Sequence, residues 1–381
     1  MKKIVHSDIV IGRPIGFSIY NKGGALLFRK GSVIHMPDQL SRLLLRGALY
    51  DEAEADPRPY LTNDVPPPPP APEDPPPFEH LNGLLLNLKH VLATTLKSPE
   101  QIDVAARIGK IAQAVQGICH KSIDSALAAV SVDTQTPYIV AHQMMGAVLT
   151  ELIGQGKQLD VAQRHSLMCA ALTRDLAQIW LQPELDKHPG SLPDALRAQM
   201  RQHPEQSVQL LEQAGVTDAL WLDAVRHHHE YLDGSGYPAQ LKGSDISLGA
   251  RILVVSDRYS AMIKMRPYRA QAHFPQNALK EIYLKKDSEI DEEIARILIS
   301  KVGLLSPGTI VKLKSGEIAV VKSPTVRSDA AIVYSVYGKT GMILSTPTRR
   351  DTSLPGYEIV GLVPLSQCQT AAVTIRQVWA D

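Results

Sequence analysis

With 381 residues the chain exceeds one ordinary domain, and 40 Lys plus Arg against 39 Asp plus Glu leave it close to neutral, which excludes a broad nucleic-acid-binding surface. Apolar residues make up 44% but aromatics only 5%, so the cores must be built from Leu, Ile, Val and Ala. Three cysteines without a CxxC pair exclude a disulfide framework and a cysteine-based zinc site; no run approaches a membrane span, and a chain of the reducing cytoplasm, free of the membrane, is expected.

In chain order, residues 1–60 read as a small α+β module. DIVIGRPIGFSIYNKGGALLFRKGSVI has short β-like runs around an NKGG turn, and MPDQLSRLLLRGAL places Leu40, Leu43 and Leu44 at helical spacing with Gly47 near its end. Nothing there points to catalysis. Residues 61–77 include VPPPPPAPEDPPP, a stiff extended spacer, because proline fixes φ and removes backbone donors.

Residues 78–302 change to helical patterns. Leu81, Leu84, Leu85, Leu88, Leu92 and Leu96 share one period, as do Val104, Ile108, Ile111, Val115 and Ile118. Further helices are expected over 138–155, 163–180, 193–201, 205–213, 218–229, 248–264, 277–285 and 289–301. The Leu-rich helices over 81–118 are expected to join two copies in a homodimer. Residues 303–381 form a small β module: SPGTIVKLKSGEIAVVKSP gives two strands around a KSGE turn, and AAIVYSVY and YEIVGLVPL add two more. The fold class is mainly α, a helical bundle between a small α+β module and a small β module.

The stretch HHHEYLDGSGYP, residues 227–238, raises the question of a metal site. Each histidine has a bland explanation. His227, His228 and His229 fall in the last turn of a helix, where the dipole favours positive charge, and His203 precedes Pro204 at a helix start. Together the set is harder to dismiss: His142, Asp175, His203, His228, His229 and Asp257 lie on or beside separate expected helices. Imidazole and carboxylate suit iron, manganese, zinc or nickel, and helical bundles hold such ions between inward side chains. Adjacent helical residues diverge by about 100°, so His228 and His229 both reach one ion only at a helix end.

GSGYP, the preceding HHE, the following GARILVVSDRYSAMIKMRPYR and the upstream MRQHPEQSVQLLEQAG together resemble the HD-GYP family of bacterial phosphodiesterases, which hydrolyse the second messenger cyclic di-GMP. The resemblance covers residues 120–300. It implies an HD-type metal-binding bundle with His203, His228, His229 and Asp257 as ligands, and His142, in VAHQMM, where the family's first histidine falls. It implies that Gly236, Tyr237 and Pro238 form the ligand-binding GYP turn, and that Arg266 and Arg269 of RPYR contact the dinucleotide phosphates. Guanidinium forks suit that role. Glu230 is expected to fix a ligand's orientation from behind.

The chain departs from the family where the signature leucine, His-Asp, Ile-Gly-Lys should stand. Here residues 172–178 read LTRDLAQ: Asp175 is kept, but Arg174 replaces the histidine and Gln178 the lysine. Tyr138 stands one turn before His142, where some members have an acid, and Ser260 stands where an aspartate is common. A two-metal phosphodiesterase activates water between ions about 3.5–4 Å apart. Arginine stays protonated and cannot ligate a metal, so Arg174 removes a ligand and adds a fixed charge. Asp175, His203, His228 and His229 still make a full set for one ion. The resemblance with this departure implies one divalent transition metal at most, and none if the site is a relic. Gln178 can hydrogen-bond a phosphate oxygen but cannot act as a general acid. Three readings follow: a chain that binds cyclic di-GMP or a signalling-protein partner with impaired or no turnover, an active phosphodiesterase, or a scaffold. The damaged two-metal geometry favours the first.

Overall fold

The computed structural model describes residues 1–5, 8–9, 14–34, 40, 43–44, 46–51, 75–188, 191–264, 273–286, 288–327 and 329–380. Contacts divide the chain into two compact units, Met1–Asp74 and Pro75–Asp381. Residues 65–74 of the proline-rich spacer lie outside the described residues.

The first unit holds four short antiparallel strands, β1 (Lys2–Lys3), β2 (Ile19–Tyr20), β3 (Leu26–Phe28) and β4 (Leu49–Tyr50), in the order β1-β4-β2-β3. The NKGG segment turns the β2–β3 hairpin: the Asn21 carboxamide oxygen accepts from the Gly23 and Ala25 N–H groups, and Gly24 takes a positive φ of 82°. Ile4, Ile19, Ile34 and Leu40 form its core, where Phe17 stacks on Tyr50. Leu40, Leu43 and Leu44 are helical; the rest of the helix expected around them lies outside the described residues.

The second unit opens with α1 (Pro77–Lys97), whose proline sits at the first helical position, where its missing N–H costs nothing. The leucine stripe of α1 and the Val/Ile stripe of α2 (Val104–Lys121) are buried in this chain's own core, so the face that was to join two copies is already covered. A short helix that the periodicity did not reveal follows, α3 (Ile123–Ser131), capped by the Ser122 hydroxyl. The centre of the bundle is α4 (Tyr138–Gly156), buried on every side from Ile139 to Gly154. It packs against α5 (Val161–Thr173), which opens with a reciprocal Asp160–Gln163 capping box. Then come α6 (Gln178–Leu185), α7 (Asp194–Arg201), α8 (His203–Gln213), α9 (Ala219–His227), α10 (Leu248–Ile263), α11 (Pro275–Leu284) and α12 (Glu292–Val302). No helix among the described residues is long and apolar enough to cross a membrane.

A five-stranded antiparallel sheet follows: β5 (Ile310–Leu313), β6 (Ile318–Pro324), β7 (Ala331–Tyr337), β8 (Ile343–Asp351) and β9 (Ile359–Leu362), ordered β8-β7-β6-β5-β9. Strand β8 went unread because its ILSTPTRRD has no apolar alternation; it is an edge strand, largely exposed, and its proline is tolerated there. The chain closes with α13 (Ala372–Gln377). Ile310, Val320, Val336, Ile375 and Trp379 belong to the same buried cluster as the helices, and Trp379 stacks on Phe78 at the start of α1 with ring centroids 5.3 Å apart.

Trp379→Ala should therefore weaken the helical bundle from the far end of the chain. A loss of about 3–5 kcal/mol is expected for removing a buried tryptophan, seen as an earlier loss of helical circular dichroism in urea. An unchanged midpoint would mean that the sheet and bundle do not share this core.

Candidate metal centre

The expected helix over 163–180 is broken at its functional point. Residues 174–177 turn between α5 and α6, with Leu176 N–H bonded to Thr173 O and Gln178 N–H to Asp175 O, the tight pattern of a 3-10 turn. The Ala177 N–H is taken by the Ser207 hydroxyl, and Trp221 Nε1 donates to the Thr173 hydroxyl, so side chains from α8 and α9 hold the break. The turn sends both Arg174 and Asp175 into the interior, 1% and 2% exposed.

Asp175 meets three histidines drawn from two other helix ends. His203 opens α8, while His228 and His229 follow the last residue of α9. Single ligand atoms of Asp175, His203, His228 and His229 all lie within 4.8 Å of one another. His203 Nδ1 donates to Met200 O and His228 Nδ1 to Val225 O, both at 2.6 Å. Those bonds assign the protons to Nδ1 and leave lone pairs on the two Nε2 atoms. The Nε2 atoms face one another at 3.2 Å, with Asp175 Oδ1 at 3.3 Å from His203 Nε2 and 3.7 Å from His228 Nε2. Two converging lone pairs beside a carboxylate repel unless a cation is shared between them. The donors present therefore fit a bound divalent ion, in the N/O chemistry of iron, manganese, zinc or nickel. Burial, then the neighbouring His228, holds the His229 imidazole well below its usual range, which favours the neutral, ligating form.

The other face of Asp175 is different. His142 on α4 and Asp257 on α10 converge there with Asp175, and the guanidinium of Arg174 lies among them. Arg174 Nε is 3.0 Å from Asp257 Oδ1 and 3.4 Å from Asp175 Oδ2, Nη2 is 2.9 Å from His142 Nε2, and Nη1 donates to Ala171 O at 2.6 Å. His142 Nε2 lies 2.9 Å from both Arg174 Nη2 and Asp257 Oδ1, while its Nδ1 is 2.9 Å from the Ser260 hydroxyl, which donates to Asp257 O. Burial acts to raise Asp175 and Asp257, but the Arg174 charge beside them holds both carboxyls well below their usual range. Burial and then the Arg174 charge push His142 down. The result is one cation, two carboxylates and a neutral imidazole. Room for the guanidinium comes from Gly146, one turn after His142, where an added Cβ would meet Arg174 Nη1.

The GYP turn supports the site from outside. A Cβ at Gly236 would fall 2.5 Å from both His229 O and Tyr231 N, so only glycine lets the chain pass. Tyr237 stacks on His229 at 4.7 Å, and Arg201, at the end of α7, lies 5.3 Å over the Tyr237 ring. Pro238 follows through a cis bond. Glu230 does not orient a histidine as expected; its carboxylate accepts from the Ala239 and Leu241 N–H groups and clamps the loop beyond the turn. Gln178 bonds Gln182 in the first turn of α6, His227 turns aside to Asp223, and Arg266 and Arg269 lie outside the described residues. Sequence reading missed Arg201, Gly146 and the positive use of Ser260. Arg201 had no motif to mark it, and Gly146 looked like any glycine in a small-residue helix.

A family model described as an HD domain matches residues 131–294. The chain is 29% identical over 204 residues to the cyclic di-GMP phosphodiesterase PA4108 of Pseudomonas aeruginosa, covering 53% of this chain and 48% of that protein. It is 34% identical over 139 residues to the 3'3'-cGAMP-specific phosphodiesterase 3 of Vibrio cholerae, covering 36% of this chain and 30% of that protein. The chain thus spans no more than about half the length of these curated relatives. Among solved structures, Bd1817, an HDG"Y"P protein from Bdellovibrio bacteriovorus, aligns with a TM-score of 0.49 at 16% identity, over 78% of this chain and 98% of that one.

Gly146→Ala is expected to cost about 1–3 kcal/mol, since the guanidinium it would strike is held by four partners. In an Arg174→Ala background the same change should cost much less, as read by a double-mutant cycle in denaturant unfolding. Equal costs in the two backgrounds would show that Arg174 does not lie against this glycine.

Proposed function

We propose, from the premise that residues 131–294 are an HD domain of the HD-GYP family, that this chain binds a cyclic dinucleotide, cyclic di-GMP first, at a one-metal site and turns it over poorly or not at all. The observation that carries this reading is the Arg174 guanidinium among His142, Asp175 and Asp257. One ion is assigned to Asp175, His203, His228 and His229. When bound, such an ion polarises a phosphoryl oxygen and acidifies a coordinated water.

The chain's own residues then divide the work. Arg174 contributes a permanent positive charge that favours a phosphate nearby, but it has no lone pair and no proton to exchange near neutral pH. Gln178 offers hydrogen bonds to phosphate without general-acid chemistry. The exposed Arg201, over Tyr237, is a phosphate contact beside those that the resemblance assigns to Arg266 and Arg269. Binding is thereby supported from several directions while water activation rests on one position. A working two-metal phosphodiesterase would need Arg174 to leave two buried carboxylates, and breaking a buried pair costs about 3–5 kcal/mol. A signalling-protein partner and a cytoplasmic place accord with a second-messenger ligand and rest on the resemblance.

Elemental analysis of the purified chain should give close to one transition-metal ion per chain, and stripping it with a chelator should lower the melting temperature, because the bound ion stabilises only the folded state. Calorimetry should then show cyclic di-GMP binding with product formation near background. Two ions with steady turnover would overturn the reading; absence of both metal and nucleotide binding would leave the scaffold.

Arg174→His with Gln178→Lys restores the missing ligand and lysine. A second ion per chain and a rise in hydrolysis of at least about tenfold, or 1.4 kcal/mol of barrier, are expected. A variant that folds and binds nucleotide but gains neither would show that the defect lies elsewhere.

A further inference from the structure

We propose that the cavity between the helical bundle and the C-terminal sheet is a second small-molecule site, for a zwitterionic ligand of amino-acid type with an apolar side chain. The cavity has a volume of ≈ 300 Å³, at the small end of ligand pockets. One wall is apolar: Ile263, Phe274, Ile310, Val363 and Leu365. Asp133, Lys264, His273 and Thr309 are among its polar lining. The sheet reaches the bundle at Gly308, whose Cβ would lie 2.9 Å from Ser131 Cβ and 3.2 Å from Ala128 Cα. That close approach sets Thr309 and Ile310 beside the loop after α3.

The polar lining carries charge that the protein alone leaves incompletely matched. Lys264, 6% exposed at the end of α10, donates to Val130 O at 2.7 Å and Asp133 O at 3.0 Å, two bonds for an ammonium with three donors. Burial pulls its pKa down to about 8, with the Asp133 carboxylate acting the other way. Asp133 Oδ1 caps the following turn through the Gln135 and Thr136 N–H groups. Asp133 Oδ2 is shut off from water and has no hydrogen-bond partner among the described residues, and the same holds for the hydroxyl of Thr309, 7% exposed. Buried polar atoms are rarely left so. A ligand ammonium supplies the donor that Asp133 Oδ2 lacks, a ligand carboxylate accepts from Lys264 and Thr309, and a short apolar side chain meets the apolar part of the lining. The site is separate from the metal centre, yet Tyr138 lines it and stacks on His142 with ring centroids 5.2 Å apart. An occupant would thus lie one ring away from the Arg174 network.

Titration calorimetry of the full chain with L-leucine and L-phenylalanine tests the proposal, with isopentylamine and isocaproate as analogues lacking one charge. One leucine or phenylalanine per chain is expected, with each analogue at least about tenfold weaker. Asp133→Asn keeps the turn bonds but loses the charge, and Thr309→Val keeps the shape but loses the hydroxyl; both should weaken binding while circular dichroism stays unchanged. Metal-stripped protein should bind as well as loaded protein, which separates this site from the metal centre. No heat with either amino acid at millimolar concentration, or undiminished binding in both variants, would overturn the proposal.

Discussion

A guanidinium buried between two carboxylates and a neutral imidazole is the interaction on which the centre of this molecule depends. Arg174 ties the end of α5 to the second turn of α4 through His142 and to the middle of α10 through Asp257. Without it Asp175 and Asp257 would be two buried carboxylates with no cation beside them, so the arrangement holds itself in place. The space it needs is made by Gly146, and the imidazole it meets is oriented by Ser260. Three departures from the family pattern or from ordinary helix composition thus form one consistent substitution. Together they place a guanidinium, tethered to the chain, among His142, Asp175 and Asp257.

The two faces of Asp175 contrast in where their partners come from. The metal-ready face is built from chain ends of helices: His203 at the start of α8, His228 and His229 just beyond α9. Backbone carbonyls at those ends are free to accept from Nδ1 and aim Nε2 inward. The Arg174 face is built from residues inside two helices, His142 and Asp257, whose side chains meet at 2.9 Å with the guanidinium against both. Long, planar and permanently charged, arginine suits that place.

The C-terminal sheet adds a second level of organisation. Its last buried ring, Trp379, stacks on Phe78 at the entrance of the first helix, so the chain's end closes over the bundle's beginning. The same junction encloses the polar pocket around Lys264, and Tyr138 stands between that pocket and His142. Packing has therefore placed the two unusual polar clusters of the unit on either side of one aromatic ring.

Much of this was legible in the residue order. The 3.6-residue periodicity announced the long helices, the NKGG and KSGE turns announced hairpins, and HHE with GSGYP announced the histidines that cluster with Asp175, because these signals are local and each depends on neighbours within a few positions. Arg174 could be read as a lost ligand for the same reason. Its destination could not, since it depends on Asp257, 83 residues away, and on Gly146 in another helix. The break in the helix at 174–177 was equally hidden, because the groups that hold it, Ser207 and Trp221, belong to α8 and α9. Strand β8 escaped because an exposed edge strand needs no alternation, and the role of Glu230 escaped because its partners are backbone N–H groups that carry no letter in the sequence. The sequence by itself determined which groups could bind a metal and which could not. Only the tertiary structure decided that the Arg174 guanidinium would be buried against His142, Asp175 and Asp257, because that outcome rests on long-range burial and charge pairing rather than on spacing along the chain.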